Sequence, residues 1–393
     1  MSSVGHAMCH GAKLALPLVT IKVAADEFGV DLDRMGWAIM AFLIGMAVSA
    51  VPSGLAGDRY GTERVLVVFF GLLSAAAAGC GMAETYTHFA VAHGLLGVAA
   101  GLFHPAALGL ISLSVESDKL GEAMGRFGMM GSAGMIAVPF LMNSSLGWRA
   151  GYFGLAVGAL VMMVVSLALI RMGLLRDHRQ QPNAAESSAA QAPDTQSAGG
   201  LSIAMLLLLS AMGVNAFLGA GWETIFPETI NDVGLVVLSN QTIAAGILVV
   251  GGIGQYVGGV LARDAYAASR YAIIMVVQCL VLLGTATAID RSAMPFMLLG
   301  SFAFFNTMTM PMENRMLAGF TSTRRRATAF AMKFLVSLLI AAPAPWIVAE
   351  FYQGATDSQS VYRFLSLAGM LGVLAGYFYL RATRRTAARA RVR

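Results

Sequence analysis

Apolar runs of about twenty residues recur along the chain, divided by short turns that hold most of its charge. The runs fall near 4–25, 35–56, 65–83, 88–113, 122–143, 149–171, 201–223, 239–262, 271–289, 293–317, 327–349 and 360–380. At 1.5 Å of rise per residue, about 20 apolar residues cross the roughly 30 Å of hydrocarbon in a bilayer. Strands of a membrane barrel would be about half as long and would alternate in polarity, and that alternation is absent. The pattern predicts an all-α polytopic membrane protein with about twelve transmembrane helices. One interval is longer than the rest. Residues 172–200 contain Gln180-Gln181-Pro182 and then Ala, Ser and Gln in quantity, which reads as a flexible linker. The expected organisation is a six-helix half over 1–171, the linker over 172–200, a second half over 201–380 and a basic tail over 381–393.

Composition supports this reading. Of 393 residues, 57% are hydrophobic and 12% charged, against about a quarter charged in soluble domains. Cys9, Cys80 and Cys279 lie within apolar runs and read as small core residues, not as a disulfide framework. The net charge of +5 sits mostly in turns and tail, so it reports topology and gives no sign of a nucleic-acid partner. Lys and Arg crowd one side, in the turns at Arg59 and Arg64, Lys119, Arg263, Arg270 and Arg324–Arg326, and in the tail. The positive-inside rule then puts both termini and the linker in the cytoplasm, with the bacterial inner (plasma) membrane as the expected location and the lipid bilayer as a partner. The first run contains His6, His10 and Lys13, which the core of a cleavable signal would avoid.

The two halves repeat at an offset of about 206: Asp58 falls on Asp264, Pro105 on Pro311 and Gly45 on Gly251. The most distinctive turn is Gly54-Leu55-Ala56-Gly57-Asp58-Arg59-Tyr60-Gly61-Thr62-Glu63-Arg64, of the form G-x-x-x-D-R-x-G-x-x-R. It resembles the signature between the second and third helices of the major facilitator superfamily, with Thr62 and Glu63 where two basic residues are usual. The resemblance implies two pseudo-symmetric six-helix halves, a central cavity lined by spans 1, 4, 7 and 10, and alternating access. It also implies that Asp58 helps to lock one state through a helix N-terminus and a nearby base. The start of span 11 after Arg324-Arg325-Arg326, and Arg126 in span 5, are the candidate partners. The expected conformational gate is Gly54, Asp58, Arg59, Gly61, Arg64, Arg126, Asp264, Glu313 and Arg315. A narrower likeness, to the fosmidomycin-resistance-type exporters, rests on four features. These are His10 with Pro17, Phe103-His104-Pro105, the glycines of Gly128-Met129-Met130-Gly131-Ser132-Ala133-Gly134, and Gly147-Trp148-Arg149. Span 5 lacks the Gly-Pro pair common in exporters of the superfamily.

Polar groups within apolar spans carry the chemistry, because an ionisable side chain in a bilayer is costly unless it faces a cavity or a partner. His6, His10, Lys13 and Pro17 recur at intervals of four, three and four residues and share one helical face. The expected substrate and coupling residues are His10, Lys13, His104, Asn215, Glu223 and Asn306, with Gln255 and Gln278 as further candidates. His6, His10 and His104 also permit a transition-metal reading. Enzyme signatures such as G-x-S-x-G, H-E-x-x-H and the P-loop are missing, so neither catalysis nor a cofactor is expected and an ion gradient is the expected energy source. The leading expectation is a monomeric secondary transporter that exports a small anionic or amphipathic compound by proton antiport. The alternatives are import of a transition metal or metal chelate, and a sensor or assembly protein with a transporter fold.

Overall fold

The computed structural model describes residues 1–16, 21–142, 147–174, 202–233, 240–264, 266–289, 294–355 and 357–392. Pro17 and most of the expected linker lie outside them. The first apolar run holds α1 (Ser2–Ala15) and α2 (Ile21–Phe28). There follow α3 (Leu32–Tyr60), α4 (Thr62–Met82), α5 (Tyr86–Ser114), α6 (Leu120–Met142) and α7 (Trp148–Arg171). The second series is α8 (Ile203–Val233), α9 (Asn240–Leu261), α10 (Ala267–Ala288), α11 (Met294–Gly319), α12 (Arg326–Ala341), α13 (Ala344–Ala355) and α14 (Ser358–Val392).

Nine segments among the described residues are long and apolar enough to cross a membrane. The expected runs outside this set are the first, whose described helices α1 and α2 are short, and α6 and α11, which carry charged or amide side chains inside the apolar stretch. Two boundaries differ from expectation. The run 327–349 is two helices, interrupted at Ala342 and Pro343, because Pro343 and Pro345 lack the amide hydrogens that a continuous helix needs. The expected tail 381–393 is not a separate element: α14 continues to Val392, and no Gly or Pro after Leu380 stops it.

The chain forms two compact units. Unit 1 comprises Met1–Val115, Met130–Gln181 and Ser322–Phe334; unit 2 comprises Glu116–Met129, Pro182–Thr321 and Leu335–Arg393. The expected halves were contiguous, whereas each unit takes in a short piece from the other half of the sequence. Small residues explain the allocation of α6. A Cβ on Gly121 or Gly125 would strike Gly259, and one on Gly128 would strike Gln255, all in unit 2. One on Gly131 or Gly134 would strike His6 or the Ala7 backbone, in unit 1.

Within each unit the same packing scheme recurs. In unit 1, α3 and α4 pack on α5, α4 on α7, and α1 on α5 and α7. In unit 2, α9 and α10 pack on α11, α10 on α14, and α8 on α11 and α14. Every pair in the first list has its counterpart six spans later. In a bilayer, apolar side chains gain little by meeting one another, so helices associate through close backbone packing at small residues. The seam between α3 and α5 depends on Gly97 and Gly101, where an added Cβ would meet the Phe42 and Met46 carbonyls. The equivalent seam between α9 and α11 places Gly254 and Gly258 against the Phe304 and Met308 carbonyls.

One end of unit 1 is closed by charge. Glu27 accepts from the Trp148 indole at 2.8 Å and from Arg149 at 2.7 and 3.0 Å, while Arg149 also donates to the Gly81 carbonyl at 2.8 Å. The Arg149 hydrogen bonds hold the Glu27 carboxyl below its ordinary range. The backbone seam is the more severe constraint. Gly97→Ala should destabilise the protein by about 1–3 kcal/mol, the usual cost of overpacking. Gly246→Ala, at a site with nothing within 4 Å, should not. Equilibrium unfolding in detergent measures both.

Candidate functional site

In unit 1, α1 presents His6, His10 and Lys13 on one face, and α5 brings His104 to meet them. His104 Nε2 lies 3.3 Å from His10 Nε2. The His6 ring centroid is 4.6 Å from that of His10 and 5.3 Å from that of His104. Aromatic faces hold the outer imidazoles: His6 stacks on Phe103, and His104 stacks on Phe334 of α12 at 4.9 Å. The Cys9 thiol donates to the Ala100 carbonyl at 3.7 Å and stands 3.9 Å from His104 Nδ1. Lys13 and Lys333 both lie within electrostatic range of His104. Of the expected residues, His10, Lys13 and His104 therefore converge. Lys333 was not anticipated; the available signal was a lysine inside an apolar run. His93, also in α5, is 1% exposed, its ring set edge-on against Phe42 and Phe89.

Unit 2 holds a second polar cluster, of different chemistry. Asn215 of α8 donates through Nδ2 to Thr309 Oγ1 at 2.8 Å and to Glu313 Oε1 at 3.2 Å. Asn306 of α11 donates to Asn215 Oδ1 and to Gln278 Oε1, both at 3.0 Å. The Tyr271 hydroxyl of α10 reaches Glu313 Oε1 at 3.4 Å. All six side chains are buried, Glu313 being 3% exposed. Two expectations change. Glu313, assigned to the gate, belongs with Asn215 and Asn306, because its carboxylate turns into the bundle where amide and phenol donors meet it. Glu223, assigned to that cavity, is exposed, because its neighbour Trp222 takes the buried face of α8. Tyr271 and Thr309 were not anticipated, since single hydroxyls in apolar runs give no pattern.

The expected gate residues divide between the units. Asp58, at the end of α3, accepts from the backbone amides of Ala327 at 3.0 Å and Thr328 at 2.9 Å. Both its oxygens thus cap the first turn of α12, where unsatisfied amides and the helix dipole favour an anion. Gly54 permits the approach, since a Cβ there would lie 2.6 Å from Ala331 and 2.9 Å from the Ala327 carbonyl. Gly61 turns the chain with φ +105°, a region that disfavours other residues. Arg59 lies over the Tyr60 ring, and Arg64 is exposed. Arg126, the other expected gate base, pairs with Glu122 in unit 2, where Glu122 also receives Arg263. Asp264, the repeat counterpart of Asp58, accepts from the Tyr266 amide at 2.9 Å and from Arg270 at 2.9 and 3.0 Å. The Tyr266 amide first, and then Arg270, hold it below the ordinary carboxylate range. Arg315 donates to the Arg263 carbonyl at 3.1 Å.

The repeated helix scheme, the signature turn and the polar spans identify a class of membrane protein built from two six-helix repeats. The chain belongs to the Major Facilitator Superfamily, whose sequence profile matches residues 5–304. It is similar to the tetracenomycin C resistance and export protein of Streptomyces glaucescens, with 27% identity over 37% of this chain and 28% of that protein. Similarity to the drug efflux pump JefA of Mycobacterium tuberculosis is 29% over 38% of this chain and 30% of the pump. The 3-(3-hydroxy-phenyl)propionate transporter of Escherichia coli is 27% identical over 42% of this chain and 41% of its own length. These matches therefore span less than half of each curated relative. Among solved structures, the proton:xylose symporter XylE superposes with a TM-score of 0.75 at 15% identity, covering 97% of this chain and 94% of XylE. The human organic anion transporter MFSD10 gives 0.73 at 17%, covering 95% and 97%. These likenesses carry the fold.

Glu313→Ala should cost about 1–3 kcal/mol, because the buried donors of Asn215 and Tyr271 lose their acceptor. Glu313→Gln, which keeps one acceptor oxygen, should cost less. Denaturant midpoints of the two purified variants test the order.

Proposed function

We propose that the protein is a secondary transporter that exports a small amphipathic anion in exchange for protons. The observation that carries this reading is the gathering of basic groups in unit 1, where His104 meets His10 and lies within electrostatic range of Lys13 and Lys333. Two ammonium groups and imidazoles in an apolar surround favour a negatively charged ligand, and the rings of Phe103 and Phe334 offer an apolar face beside it. Lysine supplies a point charge, and the imidazoles supply directed hydrogen bonds. The names of the relatives in Streptomyces and Mycobacterium favour export. The Phe103-His104-Pro105 and Gly131 to Gly134 stretches favour a place near the fosmidomycin-resistance-type exporters.

In this reading Glu313 is the proton site. It is a buried carboxylate met by donors from two neighbouring helices, Asn215 of α8 and Tyr271 of α10. Asp58 sets the conformational bias. A carboxylate at a helix N-terminus contributes about 0.3–1 kcal/mol when exposed and up to about 2 when partly buried, which shifts a two-state equilibrium severalfold. The alternate state requires the first turn of α12 to leave Asp58. The expected setting is the inner membrane of a bacterium, with both termini cytoplasmic, the halves 1–171 and 201–380 as the moving bodies, and the monomer as the working unit.

Proton-driven transport of aromatic carboxylates and phosphonates in inside-out vesicles tests the assignment. Lys13→Met and Lys333→Met should each raise KM at least ~10-fold, since each removes a charge-assisted contact of about 1.5–3 kcal/mol. Asp58→Asn should lower turnover with little change in KM. Unchanged kinetics in both lysine variants would remove the anion site, and a normal rate in Asp58→Asn would remove the cap from the cycle.

A further inference from the structure

Three imidazoles from two helices meet in unit 1. One ligating nitrogen from each of His6, His10 and His104 can be chosen so that all lie within 4.8 Å of one another. A divalent ion with metal–nitrogen bonds of about 2.0–2.1 Å requires tetrahedral ligand nitrogens roughly 3.3–3.4 Å apart. The His10 Nε2 to His104 Nε2 distance is 3.3 Å, which already matches that edge. A pair at the 4.8 Å limit has to close by about 1.5 Å to complete the face. With Nε2 turned to His104, His10 Nδ1 is the buried nitrogen on the other side of the ring and has no hydrogen-bond partner among the described residues, so no second hydrogen bond fixes which way this imidazole faces and the ring can turn to complete the face.

We propose that His6, His10 and His104 form a binding site for a borderline divalent transition ion of the zinc, cobalt or nickel class, which ties α1 to α5. Imidazole is the ligand these ions share. Three protein nitrogens leave a fourth position open, as in metal sites that admit an outside ligand. The neighbouring groups shape what enters it. Lys13 and Lys333 oppose a bare cation and favour an anion as the fourth ligand. The Cys9 thiol, 3.9 Å from His104 Nδ1, steadies that ring. The stacked rings of Phe103 and Phe334 restrict the imidazoles from the other side. The lysines make the site weaker than a closed structural zinc site and make its occupancy depend on the anion present. The binding claim is independent of the transport reading: it concerns an ion held by unit 1, not the cargo.

The test uses the full chain in detergent, purified with a tag free of histidine. Cobalt titration should yield the visible bands of a tetrahedral ion at one equivalent, and X-ray absorption of the zinc-loaded protein should count three imidazoles. His6→Gln, His10→Gln and His104→Gln should each weaken binding at least ~10-fold, at or above the loss known for disturbing a ligand's supporting contacts. His88→Gln and His93→Gln should leave it unchanged. Absence of tetrahedral bands, fewer than three imidazoles at zinc, or undiminished binding in the His10 and His104 variants would overturn the site. Should a variant fail to fold, the imidazole count on the unaltered protein decides. Because no transport is measured, a failed metal site leaves the anion exporter standing, and a failed exporter leaves the metal site.

Discussion

Helices in a bilayer cannot be held together by removing apolar surface from water, because their surroundings are already apolar. This protein meets that constraint at glycine seams, among them one in each unit where glycines let α5 lie against α3 and α9 lie against α11. The polar side chains of both clusters are positioned from those seams. The α3–α5 seam fixes α5, which delivers His104 to α1. The same α3 extends to Asp58, whose carboxylate holds the start of α12 and, with it, Lys333 and Phe334 in unit 1. The α9–α11 seam fixes α11, from which Asn306, Thr309 and Glu313 meet α8 and α10.

The two units repeat in scaffold and differ in chemistry. Unit 1 collects bases: three imidazoles and two ammonium groups. Unit 2 collects amides and hydroxyls around one carboxylate. The contrast extends to the repeated turn. Asp58 caps a helix with both oxygens, whereas Asp264 folds back on Tyr266 and Arg270, and at the start of α6 Glu122 pairs with Arg263. Arginine and carboxylate pairs near a surface contribute little and are screened by salt. A carboxylate on two amides depends less on salt. The two units therefore carry fasteners of different kinds at equivalent places.

Much of this was legible in the sequence because periodicity survives without a structure. Run lengths gave the helices, and the common offset of Asp58, Pro105 and Gly45 gave the repeat. Intervals of four and three residues put His6, His10 and Lys13 on one face. What failed was depth and direction. Glu313 and Arg315 sit two residues apart and were given one role, but two residues rotate about 200° around a helix, so one turns inward and the other toward Arg263. Glu223 was chosen for its charge, while the buried direction of α8 at that level belongs to Trp222. Lys333 was missed because a lone lysine in a run has no spacing partner, and Tyr271 and Thr309 because their role exists only where three helices meet.

The contact at Asp58 has a consequence for how this protein can vary. Its donors are main-chain amides, which every residue except proline supplies. The contact is therefore written in one side chain only. Thr328 gives the contact its amide and not its side chain, and Ala327 is limited by size where its Cβ meets Gly57 and Gly109, not by chemistry. A lineage could rewrite the start of α12 and keep the contact, whereas an ion pair would need two matched changes. Such an asymmetry lets one surface of a moving joint drift while the joint itself persists.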